Sequence, residues 1–204
     1  MKSRSTIIAF AIIALSGLLF AGSTPKTVTN IKEAIKGETT ASAKYAAYAK
    51  KAKDEGYNKV ALLFEAASKA ESIHAGNHTA VLTQLGQEMD DFKPEFTVNS
   101  TKDNLQDAIN GESYEVSTMY PEFLKAAQSE NANLAMISLN YAYQTEKKHA
   151  ELYKNALSQL ESGNENTLAD KYFVCTTCGN TYENDAPARC GISMTPKERF
   201  VTIR

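Results

Sequence analysis

Two Glu-x-x-His segments, Glu71 to His74 and Glu146 to His149, hold two of the chain's three histidines. The i, i+3 spacing puts a carboxylate and an imidazole on one helix face, about one turn apart, where both can reach a single cation. Each segment follows a Gly-Glu pair: Glu38 precedes Glu71 at an offset of 33, and Glu112 precedes Glu146 at an offset of 34. One such segment alone is an ordinary solvated helix face. Two of them, each with its own upstream glutamate, can aim four carboxylates and two imidazoles at one centre and hold two adjacent ions. Gathering those acids in a dry interior without a cation would cost many kcal/mol in desolvation and like-charge repulsion. Carboxylate with imidazole suits iron or manganese better than it suits a soft metal. His78, one turn beyond His74, reads as a surface residue or as a group behind the ligands.

The elements that must position these side chains are helices. From residue 30 to 161 alanine, leucine, lysine and glutamate dominate, and apolar residues recur at three- and four-residue steps. Breaks at "DEGYN" (54–58), "FKPEFTVNS" (92–100) and "SENAN" (129–133) divide this stretch into helices of roughly 30–54, 58–87, 101–128 and 132–161. The pattern predicts an all-α four-helix bundle with two short hairpins and a longer crossover, the ferritin-like layout in which di-iron and di-manganese carboxylate sites are built. The halves repeat: "IKEAIKGE" (31–38) matches "LQDAINGE" (105–112) at an offset of 74, and "ESIHA" (71–75) matches "EKKHA" (146–150) at 75. Tyr45 already matches Tyr120 at 75, so the second half gains one residue between Glu112 and Tyr120. A π-bulge absorbs such an insertion with least disturbance, and bulges of this kind concentrate at functional sites. Glu115 lies in the added stretch, with only Thr40 or Ala41 opposite it.

After a polar linker (162–170) the composition changes to aromatic and β-branched residues, which predicts a small β-rich module over 171–204. Cys175 and Cys178 form a knuckle, Cys190 follows after eleven residues, and Ser193 stands where a four-thiolate site would place its last cysteine. Serine is a hard, weakly acidic donor in a place where a tetrahedral thiolate site prefers sulfur. Three outcomes are open: iron on three thiolates with Ser193 or water, structural zinc, or a metal-free module with Cys175 and Cys178 oxidised.

At the other end, Lys2, Arg4, the run "IIAFAIIALSGLLFA" (7–21) and the small residues Ala21, Gly22 and Ser23 fit a secretory signal over 1–23. The chain is then exported, periplasmic or extracellular, with no stable membrane association after cleavage; the alternative is a retained membrane anchor. Cleavage removes Lys2 and Arg4 and no acid, so the net charge moves from −2 to −4. That mild acidity gives no reason to expect nucleic acid as a partner. Export makes cysteine pairs candidates for disulfides, but three cannot pair completely and the knuckle spacing favours metal.

The motifs "GETTASAKY", "EAASKAESIHA", "GESYEVSTMYPEF", "TEKKHA" and "YFVCTTCG…APARCGISMTPKERF" resemble those of the rubrerythrin family from residue 30 to 204. The resemblance implies a ferritin-like bundle with a rubredoxin-like tail, and a non-haem di-iron centre that reduces hydrogen peroxide with electrons passed through the tail from an external donor. It implies Glu38, Glu71, His74, Glu112, Glu115, Glu146 and His149 as iron ligands, with Glu115 exchanging with His74 as the oxidation state changes. It places Tyr45 and Tyr120 beside the centre, and Cys175, Cys178, Cys190 and Ser193 around one further ion, iron or zinc. It also implies a homodimer or larger assembly in which one subunit's tail can lie near another's bundle. Two rival functions stand beside it: a ferroxidase or iron-handling protein, and a catalytically idle bundle that binds zinc or manganese.

Overall fold

The computed structural model describes residues 25–204, so the signal segment expected over 1–23 lies outside the described residues. Helix α1 (Lys26–Asp54) buries Val28, Ile31, Ala34, Ile35, Glu38, Tyr45, Tyr48, Ala49 and Ala52, an inward stripe at steps of three, four and seven. A glutamate sits in the middle of that stripe. Helix α2 (Asn58–Gln84) runs back alongside α1. After a crossover, α3 (Thr101–Tyr114) passes through a π turn (Glu115–Met119) into α4 (Tyr120–Ser129), and α5 (Asn133–Glu161) completes the bundle. The π turn falls on the stretch where the repeat gains its residue.

Along all four rods the acids separate two apolar clusters. One contains Tyr45, Tyr48, Leu63, Phe64, Leu105 and Tyr153. The other contains Ile31, Ile35, Leu82, Tyr120 and Leu139. Each such large side chain, fully buried, stabilises the fold by roughly 1.5–3 kcal/mol. That is the reserve against which a polar layer can be tolerated.

Helix α2 ends at Gln84, short of the expected residue 87. Gly86 takes φ +69° and donates to Thr83 O, while Gln87 donates to Leu82 O, which is the paired bond pattern of a Schellman stop. Among the described residues no helix is long and apolar enough to cross a membrane.

The tail forms a three-stranded antiparallel sheet from β1 (Tyr172–Cys175), β2 (Thr181–Glu183) and β3 (Phe200–Ile203), in the order β2-β1-β3. Tyr172 and Val174 of β1 belong to the bundle's own cluster with Phe64 and Tyr153. The tail is therefore packed onto α2 and α5 of its own chain.

Candidate metal centre

Glu38, Glu71, His74, Glu112, Glu146 and His149 are each at most 2% exposed. They form two overlapping sets, Glu38/Glu71/His74/Glu146 and Glu71/Glu112/Glu146/His149, within each of which the donor atoms lie within 4.8 Å of one another. Glu71 and Glu146 belong to both. His74 Nδ1 lies 2.8 Å from Glu71 Oε2 and 2.8 Å from Glu146 Oε1. His149 Nδ1 lies 3.0 Å from Glu71 Oε1 and 2.9 Å from Glu146 Oε2. Each of these two carboxylates thus turns one oxygen to each histidine, so Glu71 and Glu146 would each serve both ions of a pair held here.

These short approaches are not hydrogen bonds. Eight buried atoms of this cluster lack any hydrogen-bond partner: both oxygens of Glu71 and of Glu146, Oε2 of Glu38 and of Glu112, and Nδ1 of His74 and of His149. An orphaned buried polar atom costs about 1–3 kcal/mol. Eight aimed at one place fit a pair of cations, which would satisfy them all.

The outer atoms are all engaged, and they fix the inner ones. Tyr45 donates to Glu112 Oε1 at 2.6 Å and Tyr120 donates to Glu38 Oε1, leaving Oε2 of each glutamate free to face the centre. His74 Nε2 lies 3.0 Å from the Cys178 carbonyl, which can only accept, so Nε2 carries a proton and Nδ1 is the nitrogen left to face the centre. Thr181 gives its hydroxyl proton to Gly179 O and so accepts from His149 Nε2 at 3.0 Å, orienting that ring the same way.

Without cations, the cluster gathers protons. Burial pushes Glu38 up to about 8, with Glu146 and Glu71 adding to the shift against the pull of His74. Burial, then the neighbouring carboxylates, holds Glu112 well above its ordinary range. Burial would lower His74 and His149, but Glu146 and Glu71 raise both well above 6.5. Protons are the only neutralisers available to such a cluster without cations.

Glu115 is placed differently. It belongs to neither donor set and sits half-buried in the π turn, on the wall of a groove of about 500 Å³ that also includes Asn30, Glu33, Lys36, Thr40 and Phe123. Burial, then Glu38 and Glu112, raises its carboxyl well above the ordinary range. The structure brings six of the seven expected bundle residues together and leaves the seventh at the rim.

In the tail, Cys175, Cys178 and Cys190 are free, fully buried, and close enough to share an ion. Cys178 Sγ and Cys190 Sγ are 3.4 Å apart, and Ser193 Oγ lies 3.3 Å from Cys175 Sγ. Hydrogen bonding from Cys178, offset in part by burial, pulls the Cys175 thiol down to about 4. Ser193 Oγ also lies 2.8 Å from Thr195 Oγ1, which donates in turn to Thr177.

Ser138 and Thr145 escaped the sequence reading. Of the two readings of His78, the structure supports the group behind the ligands: it is fully buried, its Nδ1 lies 2.7 Å from Ser138 Oγ and its Nε2 3.3 Å from Tyr120 Oη. Burial, then His74, pushes it down to about 3, so it is a neutral ring with one donor and one acceptor. Thr145 joins His74 at the Cys178 carbonyl, its hydroxyl lying 3.0 Å from that oxygen and 3.0 Å from Tyr141 O and sharing one proton between them. Gly179 has φ +78° and rests directly on His74. The available signal was polar side chains, Ser138 and Thr145, lying in α5's inward stripe.

A bundle of this topology with paired Glu-x-x-His helices and a docked three-cysteine sheet defines a ferritin-like protein with a rubredoxin-like tail. The family model described as Rubrerythrin matches residues 29–157, and the chain belongs to the rubrerythrin family. It is 37% identical over 177 residues to nigerythrin of Nitratidesulfovibrio vulgaris, covering 85% of each chain. It is 31% identical to rubrerythrin-2 of Clostridium acetobutylicum, over 85% of this chain and 95% of that one. A structure of nigerythrin in a mixed-valence state superimposes with a TM-score of 0.79 at 33% identity, covering 99% of this chain and all of that one. A fully reduced, all-ferrous nigerythrin structure matches with a TM-score of 0.78.

Proposed function

We propose that the chain is an exported non-haem di-iron peroxidase that reduces hydrogen peroxide to water, its bundle ions held by Glu38, Glu71, His74, Glu112, Glu146 and His149. The observation that carries this reading over an iron store is the direct bond from His74 Nε2 to the Cys178 carbonyl. A store has no need of a redox module seated on a ligand; a reductase does. A ferrous pair in the bundle would supply the two electrons that cleave the O–O bond. The chain's own residues then have distinct tasks. Tyr45 and Tyr120 hold the outer oxygens of Glu112 and Glu38, Glu115 stands at the groove through which a small substrate would arrive, and Thr145 with His74 clamps the tail.

Iron in the tail, on Cys175, Cys178 and Cys190 with Ser193 at the fourth corner, gives the module its electron role. The other electron donor is external, and a homodimer is the assembly the family suggests. The test is steady peroxide consumption by iron-quantified protein with an artificial one-electron donor. Turnover that scales with bundle iron supports the reading. A single round of ferrous oxidation with retained ferric mineral would move the assignment to iron handling, and zinc or manganese in the bundle would make it a non-catalytic binder.

A further inference from the structure

The repeat makes the two ends of the centre comparable, and they differ. Tyr45 and Tyr120 occupy equivalent positions in the two repeats, and each donates across to a terminal glutamate. Behind Tyr45 the corresponding helix supplies Tyr153, with ring centroids 5.5 Å apart. Phe64 and Tyr48 close the cluster, and the Tyr153 hydroxyl has no partner. Behind Tyr120 stands His78, the repeat equivalent of Tyr153, and beside it Ser138, the repeat equivalent of Leu63. One end is an apolar plug, and the other continues as polar atoms.

The directions of those polar links are determined. Glu38 Oε1 accepts from Tyr120 Oη–H. The tyrosine oxygen therefore accepts from His78 Nε2–H, and the remaining ring nitrogen, Nδ1, accepts from Ser138 Oγ–H. Ser138 is 5% exposed and lines a groove of about 180 Å³ between α2 and α5 with Asn77, Gln84 and Ile137. Every bond in the file points from the surface to the centre.

We infer that Ser138, His78 and Tyr120 form a proton-delivery file from the α2–α5 groove to Glu38. This rests on the peroxidase reading, because that reaction consumes protons. Converting one hydrogen peroxide to two waters breaks the O–O bond and takes up two electrons and two protons. The electrons come from the metal pair, refilled by the external one-electron donor, and the protons come from solvent. Each group in the file, Glu38 included, releases one proton as it accepts another, so the protons end on the oxygens of the departing waters and no charge is stranded in the apolar interior. His78 acts through Tyr120 and is a positioning residue as well as a link. The groove at Glu115 lies on the α1 and α4 side, so substrate and protons would arrive from different faces.

The test compares full-length, iron-loaded wild type with Ser138→Ala, Ser138→Thr and His78→Phe. Reduced protein is mixed with hydrogen peroxide in H2O and in D2O, the single-turnover rate is followed by ferric absorption, and iron is quantified in each sample. Unchanged iron, a slowing of about tenfold or more in Ser138→Ala and His78→Phe, a larger solvent isotope effect, and recovery in Ser138→Thr are expected. Independently of activity, the infrared C–O band lost in Tyr120→Phe should shift in both disrupting variants. Wild-type rates and an unmoved tyrosine band in iron-loaded Ser138→Ala would overturn the file and leave the peroxidase reading intact. A wild type that peroxide does not oxidise would overturn both. Should His78→Phe fail to fold, the Ala and Thr pair at Ser138, near the surface, decides the matter.

Discussion

Replacing Gly179 by alanine sets a methyl group where the tail meets the bundle. The new Cβ would lie 2.3 Å from His74 Nε2, 2.9 Å from His74 Cδ2 and 3.2 Å from Ala70 O, the last being backbone that cannot swing aside. Two separable costs follow. The left-handed backbone, φ +78°, costs a residue with a Cβ about 1–2 kcal/mol. Relieving the clash must part Cys178 O from His74 and Thr145, at about 1 kcal/mol for each bond. The total is about 3–4 kcal/mol. Gly163→Ala is the control, since φ there is +70° with nothing within 4 Å of the added carbon, so it carries the strain alone. Urea unfolding of metal-loaded protein and proteolysis within residues 162–170 measure the difference. Gly179→Ala should cost about 2 kcal/mol more than Gly163→Ala, the worth of the two parted bonds, and should expose the linker. Equal costs with an equally protected linker would refute the docked arrangement and the link it makes to His74.

Other perturbations follow from the same geometry. Ser193→Cys should raise tail iron affinity by at least about tenfold and intensify the thiolate-to-iron visible bands, because sulfur replaces a hard oxygen 3.3 Å from Cys175; metal titration with absorption spectroscopy checks it. Glu115→Gln should leave bundle iron intact, since Glu115 is outside both donor sets, while slowing peroxide turnover about tenfold or more; iron assay and stopped-flow mixing separate the two effects. Glu55 accepts the Thr101 N–H at the start of α3, and Thr101, through its side chain first and then through that bond, with help from Lys51, lowers its carboxyl to about 2. A lowered folded value means the contribution is present above the ordinary 4.5 and is lost as pH falls through about 2. Glu55→Gln should therefore cost about 0.5–1 kcal/mol at neutral pH, allowing for solvent screening, and nothing near pH 2, as read by urea melts across pH.

Much of this arrangement was legible in the chain because periodicity and chemistry coincide. Glu38 sits in the inward stripe of α1, and the unequal repeat offsets locate the π turn that carries Glu115. What could not be read was which side of each ring faces the ions. That depends on Cys178 O and Thr181 Oγ1, which arrive from a sheet far along the chain from either histidine. For His78 the sequence left open a surface position or a place behind the ligands; the burial that decides for the second comes from Ser138 and Tyr120 closing over it from other helices. The end of α2 was readable from Gly86, but helical composition continuing to Gln87 outweighed it.

The most direct measurement is iron-edge anomalous diffraction from crystals of protein reconstituted with ferrous iron. Two iron peaks per bundle, both contacted by Glu71 and Glu146, with His74 and Glu38 on one and His149 and Glu112 on the other, are expected. A bundle with no iron, or a single ion with Glu71 and Glu146 protonated and hydrogen-bonded to each other, would contradict the dinuclear centre.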